Sequence, residues 1–458
     1  MIRMTLASAL LGLGTAGCVV PVELADGNDG TEGGTAGGAQ ATTAPATTTS
    51  ATGEGSDDQD DGTTDPTGCP PGELGCDCLL DTCEDGLVCF EEVCIVDMCG
   101  DDEVDLGEQC DDGNTDDADG CNNDCRTSGT VSQTIDLNGE AEQSGSFAVA
   151  VDSTDAVVVS GFDRIAGAQT GWVRKLDPAG NELWFDQLPT YVSPYALATG
   201  PDDRIATGGN LWLPPDIFGT TWNRSYAADG TVEQTNESET RGTRDVAFTP
   251  TGAILSGEDN QLIAMNPDPQ GQWSLAPDFR ALAIIPGGGF LVVGGLNTIE
   301  DTYYISRYAD ATTPGAPEWT IEDQDAPATD VDIDSAGNIF VSGSVDNGTD
   351  GSTSWVRKLA PDGSELWLIS ANGLTTTDLV IQSLAVDGQD RIVIAGHEDL
   401  GTITRPWIGK LDQEGGLLWE IATTEDQGMV NSIAIDSNDE ILAATLVNSR
   451  AGLLRITP

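Results

Sequence analysis

The chain has 458 residues, 77 of them acidic against 18 basic, for a formal net charge of −59. A protein this acidic repels nucleic acid and anionic lipid at long range, which removes both as electrostatic partners. Its single histidine, His397, leaves no Ser-His-Asp order to argue for.

The first residues, MIRMTLASALLGLGTAGC, carry one cation, Arg3, then an apolar stretch through Leu13 and small residues up to Cys18. This is the layout of a secretory signal, too short for a permanent membrane span. Residues Thr15-Ala16-Gly17-Cys18 resemble a bacterial lipobox, with Thr where Leu is more usual. The resemblance implies that Cys18 becomes the lipidated first residue of an exported protein. Its several acyl chains would hold it on the bacterial outer membrane, with display at the cell surface expected. A plain signal peptide cleaved nearby is the alternative. Residues 19–68 are acidic and rich in Gly, Thr and Ala, and cannot bury enough apolar surface to fold. They predict a disordered tether, which as a flexible coil spans about 35 to 40 Å.

All eleven cysteines precede residue 126, and the ten after Cys18 are an even set, as a disulfide framework in an oxidising compartment requires. Cys69, Cys76, Cys78, Cys83, Cys89 and Cys94 fall in a module over residues 69–98, similar to small knotted cysteine-rich domains. Cys99, Cys110, Cys121 and Cys125 follow over 99–128, in a phrase that resembles the cysteine-rich repeat of myxobacterial surface proteins. Six cysteines allow fifteen pairings and four allow three, and the sequence leaves these open. Zinc competes for close cysteine pairs, but the lone histidine is distant and an exported chain oxidises its thiols. Within the second module Asp111, Asp112, Asn114, Asp116, Asp117 and Asp119 crowd one loop. Alternating hard oxygens suit Ca²⁺, with Asp112, Asn114, Asp116 and Asp119 as candidate ligands. The spacing is not that of an EF-hand, and a solvated acidic turn closed by Asx hydrogen bonds is the other outcome. No other cofactor is indicated.

From Ala148 onward one pattern recurs seven times: an apolar strand, an acidic or glycine turn, and a second apolar strand that usually ends on Gly. The copies begin at Ala148, Ala196, Asp245, Ala281, Asp330, Ser383 and Ser432. A near-constant period of this length with several short strands per unit is the signature of a β-propeller. A second hairpin follows in each unit, as in WVRKLDPAGNELWF from Trp172 and WIGKLDQEGGLLWEI from Trp407, so each blade has four strands. Blade 3 is the shortest copy. Trp172, Trp184, Trp355, Trp367, Trp407 and Trp419 recur at fixed places and are expected to pack blades together.

The chain stops after the third strand of the last blade. Residues 129–134, GTVSQT, match 230–235, GTVEQT, at five of six positions, so the segment before the first repeat is expected to supply the missing fourth strand. The predicted fold is therefore all-β, a closed seven-bladed propeller over 129–458 behind two small disulfide-rich modules. The turns carry Asp334, Gly337, Asn338 and Gly343, with Lys175, Leu176, Asp177 and Gly180, and again Lys358, Leu359, Asp362 and Gly363. These resemble the bacterial seven-bladed β-propeller repeat family. The resemblance implies the fold and brings no catalytic residue with it.

In a four-stranded meander the first and third connections leave on one face, and the second connection and the link between blades on the other. The long, aromatic connections all fall on the second face. Arg164, Tyr191, Tyr195, Trp212, Phe218, His397 and Arg405 are the candidate contact residues there, unless they only pack those loops. The hairpin DPAGNELW, 177–184, is also similar to repeats of quinone-dependent dehydrogenases, without an identifiable quinone clamp. The expectation is a lipid-anchored binding or scaffolding protein with an unknown protein or glycan partner. The rival is a secreted propeller enzyme, a lyase, glycosidase or quinoprotein. A cleft-lining pair of carboxylates would favour the rival.

Overall fold

The computed structural model describes the strands Leu87–Phe90 and Val93–Val96, residues 109–111, 113, 120–122 and 125, and residues 126–458. Exceptions in the last stretch are 140, 213–218, 240–241, 259–260, 266–271, 275–277, 298–301, 312–314, 325–326, 347–351, 372–373, 376 and 423–426. The chain divides into units 1–64 and 65–458, and every described residue belongs to the second. The leader, Cys18 and the tether lie outside the described residues. So do Cys69, Cys76, Cys78, Cys83, Cys99, Asp112, Asn114, Asp116, Asp117, Asp119 and Phe218.

Seven four-stranded antiparallel sheets follow one another along the chain. Blade 1 spans 143–190, blade 2 192–238, blade 3 243–274, blade 4 279–324, blade 5 328–370 and blade 6 378–422. Blade 7 takes three strands from 428–456 and its fourth from Val131–Asp136. The first strand of each blade packs on the first strand of the next, and that of blade 7 on that of blade 1. The protein is a closed seven-bladed β-propeller.

Burial follows each strand's place in its blade. Second strands are covered on both faces by neighbouring blades, so they read as apolar runs, such as Val157-Val158-Val159 and Ile392-Val393-Ile394-Ala395. Fourth strands have one face in solvent and alternate, as Glu365–Ser370 does, with Leu366 and Leu368 outward. The core is seven separate clusters, one at each blade junction, and the one between blades 2 and 3 has the fewest buried members. The recurrent Gly that closes the second strand has a packing cause. A Cβ on Gly161 would lie 2.4 Å from the Trp172 ring, and one on Gly343 2.2 Å from that of Trp355. Both indoles are buried flat against backbone, which only glycine permits.

Ring closure occurs where the sequence places it. Val131–Asp136 pairs antiparallel with Arg450–Ile456, setting Thr134 opposite Leu454 and Asp136 opposite Gly452. Thr457 fastens the seam: its N–H donates to Thr130 O (2.9 Å), and its hydroxyl donates to Thr127 O (2.9 Å) while accepting from Thr130 N (2.9 Å). Without this strand the last blade would present an unpaired edge. In the second cysteine module Cys110 is bonded to Cys121, and Cys125 is also disulfide-bonded. Cys89 and Cys94 stand opposite each other in the two-stranded hairpin.

Candidate functional site

In a blade packed on both faces, a strictly alternating inner strand would send every side chain into a junction and none toward the propeller axis. All seven inner strands break that alternation once. The pairing register shifts at Phe147, Tyr195, Arg244, Arg280, Thr329, Gln382 and Asn431, one residue in each blade. A bulge of this kind leaves its extra residue unpaired and re-aims the side chain. All seven line one channel of about 290 Å³ walled by every inner strand of the ring. None of the seven is buried. Each bulge lies at or before the middle of its strand, toward the face that carries the long connections.

The ring is asymmetric. Blades 1 and 2 contribute an aromatic pair, Phe147 and Tyr195, with centroids 4.7 Å apart and planes tilted by 56°. Blades 3 and 4 contribute Arg244 and Arg280, the only cations lining the channel among the described residues. Arg280 donates from Nη2 to Asp278 (3.0 Å), and its buried Nε meets no acceptor among the described residues. Blades 5, 6 and 7 contribute Thr329, Gln382 and Asn431. The amide of Asn431 donates to Ser146 O of blade 1 (2.8 Å), leaving its carbonyl oxygen, and the hydroxyl of Thr329 pairs with that of Ser342 (3.0 Å).

In blades 3, 5, 6 and 7 the next residue fastens the ring to its neighbour. Asp245 accepts from Leu282 N (2.8 Å) with one oxygen and from Val246 N (2.8 Å) with the other. Asp330 does the same with Leu384 N and Val331 N, both 2.8 Å, and accepts from Ser383 Oγ (3.1 Å) as well. Ser383 and Ser432 accept from Ile433 N and Val149 N across the two following junctions, each at 3.3 Å. Burial pushes the Asp245 carboxyl up to about 6 against the pull of those N–H groups. It pushes Asp330 up to about 7, helped by the charge of nearby Asp245. Burial likewise raises Asp332, which accepts from Val386 N, to about 6.

The sequence candidates separate into three places. Tyr195 belongs to the channel ring. Arg164, Tyr191 and Trp212 gather on the rim of blades 1 and 2, where Gln169 accepts from Arg164 and the Tyr191 carbonyl accepts from Trp212 N (3.0 Å). Tyr191 is exposed and holds φ +73°, a conformation a bulky side chain rarely adopts. His397 and Arg405 sit on blade 6. His397 is buried between Val380 and Pro406, and Arg405 is ion-paired with Glu398, which also accepts from the Thr377 hydroxyl. Phe147, Arg244, Arg280, Thr329, Gln382 and Asn431 were not singled out from sequence, yet a signal was present. Each ring residue is the one directly before a repeat start.

The six recurrent tryptophans are packing residues. Trp172, Trp355 and Trp407 are buried, and the indole N–H groups of Trp184 and Trp367 donate to backbone carbonyls of the next blade, Ala228 O (3.3 Å) and Gln413 O (3.0 Å). In the acidic loop Asp111 accepts from Gly113 N (2.8 Å), an Asx turn, while the four candidate calcium ligands lie outside the described residues. No helix among the described residues is long and apolar enough to cross a membrane.

No family model and no curated protein matches the chain. Among solved structures, the WD40 β-propeller domain of Doa1 matches over 72% of this chain and 98% of its own, at 13% identity and TM-score 0.49. Sqt1 from Chaetomium thermophilum matches over 72% and 99%, at 11% identity and TM-score 0.49. The same protein bound to the N-terminus of the ribosomal protein L10 matches over 71% and 100%, at 11% identity and TM-score 0.47.

Proposed function

We propose that the chain is a binding or scaffolding protein that receives its partner at the channel mouth on the long-loop face, through the ring of seven bulged residues. One observation carries this. Seven independent bulges place a side chain toward a single channel, and the residues delivered differ in chemistry from blade to blade. The channel also holds two carboxylates, the feature that would favour an enzyme. Both oxygens of Asp245 and both of Asp330 are committed to backbone N–H groups, and a general acid or base needs an oxygen within reach of its substrate. They serve as fasteners between blades, which favours binding over catalysis.

The leader and tether complete the proposal: lipid on Cys18 holds the chain on the outer membrane of a bacterium, and residues 19–68 let the propeller reach outward. Cys18→Ser then releases the protein from membranes, and fatty-acid labelling of the wild type but not the variant checks it. Calcium at the 111–119 loop, in the range of extracellular modules at about 10⁻⁴ to 10⁻³ M, is the accompanying proposal, read by calorimetry on the full chain and its Asp112→Asn/Asp116→Asn variant. For the ring, immobilised full-length protein is compared with Arg244→Gln/Arg280→Gln and with a control altered on the opposite face, Asp202→Asn. A partner kept by wild type and control but lost by the ring variant supports the proposal. Equal retention by all three refutes it.

A further inference from the structure

Four arginines of the propeller are held in the same way, over an aromatic ring and against a carboxylate. Arg174 lies over Trp172 (5.1 Å) and Phe185 (4.7 Å) and pairs with Glu182. Arg204 lies over Phe248 (5.4 Å) with Glu233, Arg224 over Trp222 (5.1 Å) with Asp186, and Arg357 over Tyr303 (5.9 Å) with Glu365. A cation gains twice from this arrangement, from the negative face of the ring and from the acid, while its stem covers apolar surface. Ring plus carboxylate is the receptor this chain builds for its own cations.

On the rim of blades 1 and 2 the rings stand open. Among the described residues eleven large apolar side chains are exposed, and seven of them lie on fourth strands, which have one face in solvent. The other four lie toward the long-loop face, and three of these, Ile165, Tyr191 and Tyr195, belong to blades 1 and 2. Exposed apolar surface gathered in one place marks an interaction site. Both tyrosines are held in position. Phe147 stacks on Phe162 (5.1 Å) and lies against Tyr195 (4.7 Å), and Tyr191 donates its N–H to Gln169 O (2.9 Å) while its carbonyl accepts from Trp212 N (3.0 Å). Tyr191 keeps φ +73°, which glycine or asparagine would adopt at lower cost, so the strain goes into presenting a tyrosine there. No cation among the described residues lies on either ring.

The carboxylates are present too. Glu142, Glu237 and Glu239 are exposed on the same rim and meet no cation among the described residues. Arg164 does not fill the gap: its guanidinium is half-buried and donates to Gln143 (3.2 Å) and Gln169 (3.5 Å). At longer range the net charge of −59 draws cationic molecules in and speeds their encounter. Two rings and three acids spread over two blades call for several cations carried on one chain.

We infer that the rim of blades 1 and 2 docks a basic polypeptide segment, whose arginine or lysine side chains lie on Tyr191 and Tyr195 with their charge toward Glu142, Glu237 and Glu239. This rests on the long-loop face being where the partner binds and adds the chemistry of that partner.

The test is calorimetry on the full-length protein at physiological salt with the capped heptapeptide Gly-Arg-Gly-Arg-Gly-Arg-Gly. Its citrulline counterpart, which is planar but uncharged, its glutamate counterpart and spermine are the comparisons. The arginine peptide is expected to bind about tenfold or more tighter than the citrulline peptide, and more weakly as salt rises. Tyr191→Asn/Tyr195→Ser, which removes both rings and relieves the strained φ, should weaken it about fivefold or more. Tyr191→Phe/Tyr195→Phe keeps the rings and should keep the affinity. Glu142→Gln/Glu237→Gln/Glu239→Gln should weaken binding and flatten its salt dependence, whereas Asp202→Asn/Asp229→Asn/Asp362→Asn, the same loss of charge on the opposite face, should do neither. Circular dichroism and melting of each variant exclude misfolding as the cause. Equal binding of the citrulline peptide, full affinity without the two rings, equal loss in the opposite-face variant, or spermine binding as tightly as the peptide overturns the inference. If the arginine peptide fails while partner capture still depends on the channel ring, the long-loop face remains the partner site and only its basic partner falls.

Discussion

Blades 5, 6, 7 and 1 form one arc of the propeller and blades 2, 3 and 4 the other, and the two arcs hold the same geometry by different means. In the first arc the residue that opens the inner turn is an acid paired with a cation of the third strand: Asp152 with Lys175 (2.6 Å), Asp334 with Lys358 (3.7 Å), Asp387 with Lys410 (2.9 Å) and Asp436 with Arg455 (3.8 Å). In the second arc the equivalent residues are Gly200 with Ser225, Thr249 with Ala264, and Ile285 with Arg307. The turns themselves divide along nearly the same line. Asp203, Asp390, Asp439 and Asp155 each accept from the preceding blade's turn, from Ser153, Ser335, Gly388 and Ser437 respectively. At the other three junctions the donor position is Pro201, Pro250 or Pro286, which has no N–H, and the acceptor position is Gly252, Gly288 or Gly337. Donor and acceptor have been given up together. All seven acceptor positions hold positive φ, from 55° to 112°, and glycine adopts that freely where an aspartate must recover the cost through its hydrogen bonds.

The comparison shows that the buried charge pair is one of two workable solutions rather than a requirement of the fold. A buried ion pair is costly to break and cheap to replace whole. It also shows that the charged arc contains the closure seam, where the first and last strands of the propeller must be held in register.

The largest effect is expected from breaking that seam. A chain lacking residues 19–128 keeps Val131–Asp136 and should melt as one cooperative unit. A chain lacking 19–137 leaves Arg450–Ile456 as a bare edge and should aggregate and lose its single transition. Equal melting temperatures and equal light scattering would show that the strand is dispensable.

Next in size is the charge pair of blade 6. Lys410→Ala removes the nearer of two cations from the buried Asp387 carboxylate, leaving Arg391 at 3.4 Å, and should cost about 3 kcal/mol by denaturant unfolding. Adding Asp387→Thr reproduces the Thr249 and Ala264 arrangement of blade 3, in which the Thr249 hydroxyl accepts from Ala253 N (3.1 Å), and should recover most of that loss. A double variant no more stable than the single one would mean that the arcs are not interchangeable.

Turn fasteners are more exposed and count for less. Asp439→Ala removes the acceptor for Gly388 N (2.8 Å) yet keeps the strained φ, and should cost about 1 to 2 kcal/mol. Asp439→Gly relieves the strain and should cost less than the alanine. If the two substitutions cost the same, the strain account is wrong.

The smallest expected effect is a slope. Asp330, at the junction of blades 5 and 6, has its carboxyl raised to about 7 by burial, so the folded chain holds a proton that the unfolded chain releases. Its stabilising contribution is complete below the ordinary carboxylate range of about 4 and is lost as pH rises through about 7. The melting temperature should therefore fall between pH 5 and pH 8, and fall less in Asp330→Asn. Parallel slopes would show that Asp330 does not titrate in that window.

Much of the architecture was legible because it is written in local pattern. The seven starts from Ala148 to Ser432, the eroded blade 3 and the match of 129–134 to 230–235 specify blade number, strand count and closure, since each strand advertises its burial through side-chain alternation. The Pro and Gly exchange at three turns is equally local. The channel ring was not legible in the same way. Loop length and aromatic content pointed to Arg164, Tyr191, Trp212, His397 and Arg405 on the rim, while among the described candidates only Tyr195 reached the channel. A bulge is a property of two strands in register, two residues facing one, and neither strand carries it alone. Phe147, Arg244, Arg280, Thr329, Gln382 and Asn431 sit in plain view before each repeat, but only the pairing of first and second strands turns them toward the axis, and only ring closure makes seven of them neighbours.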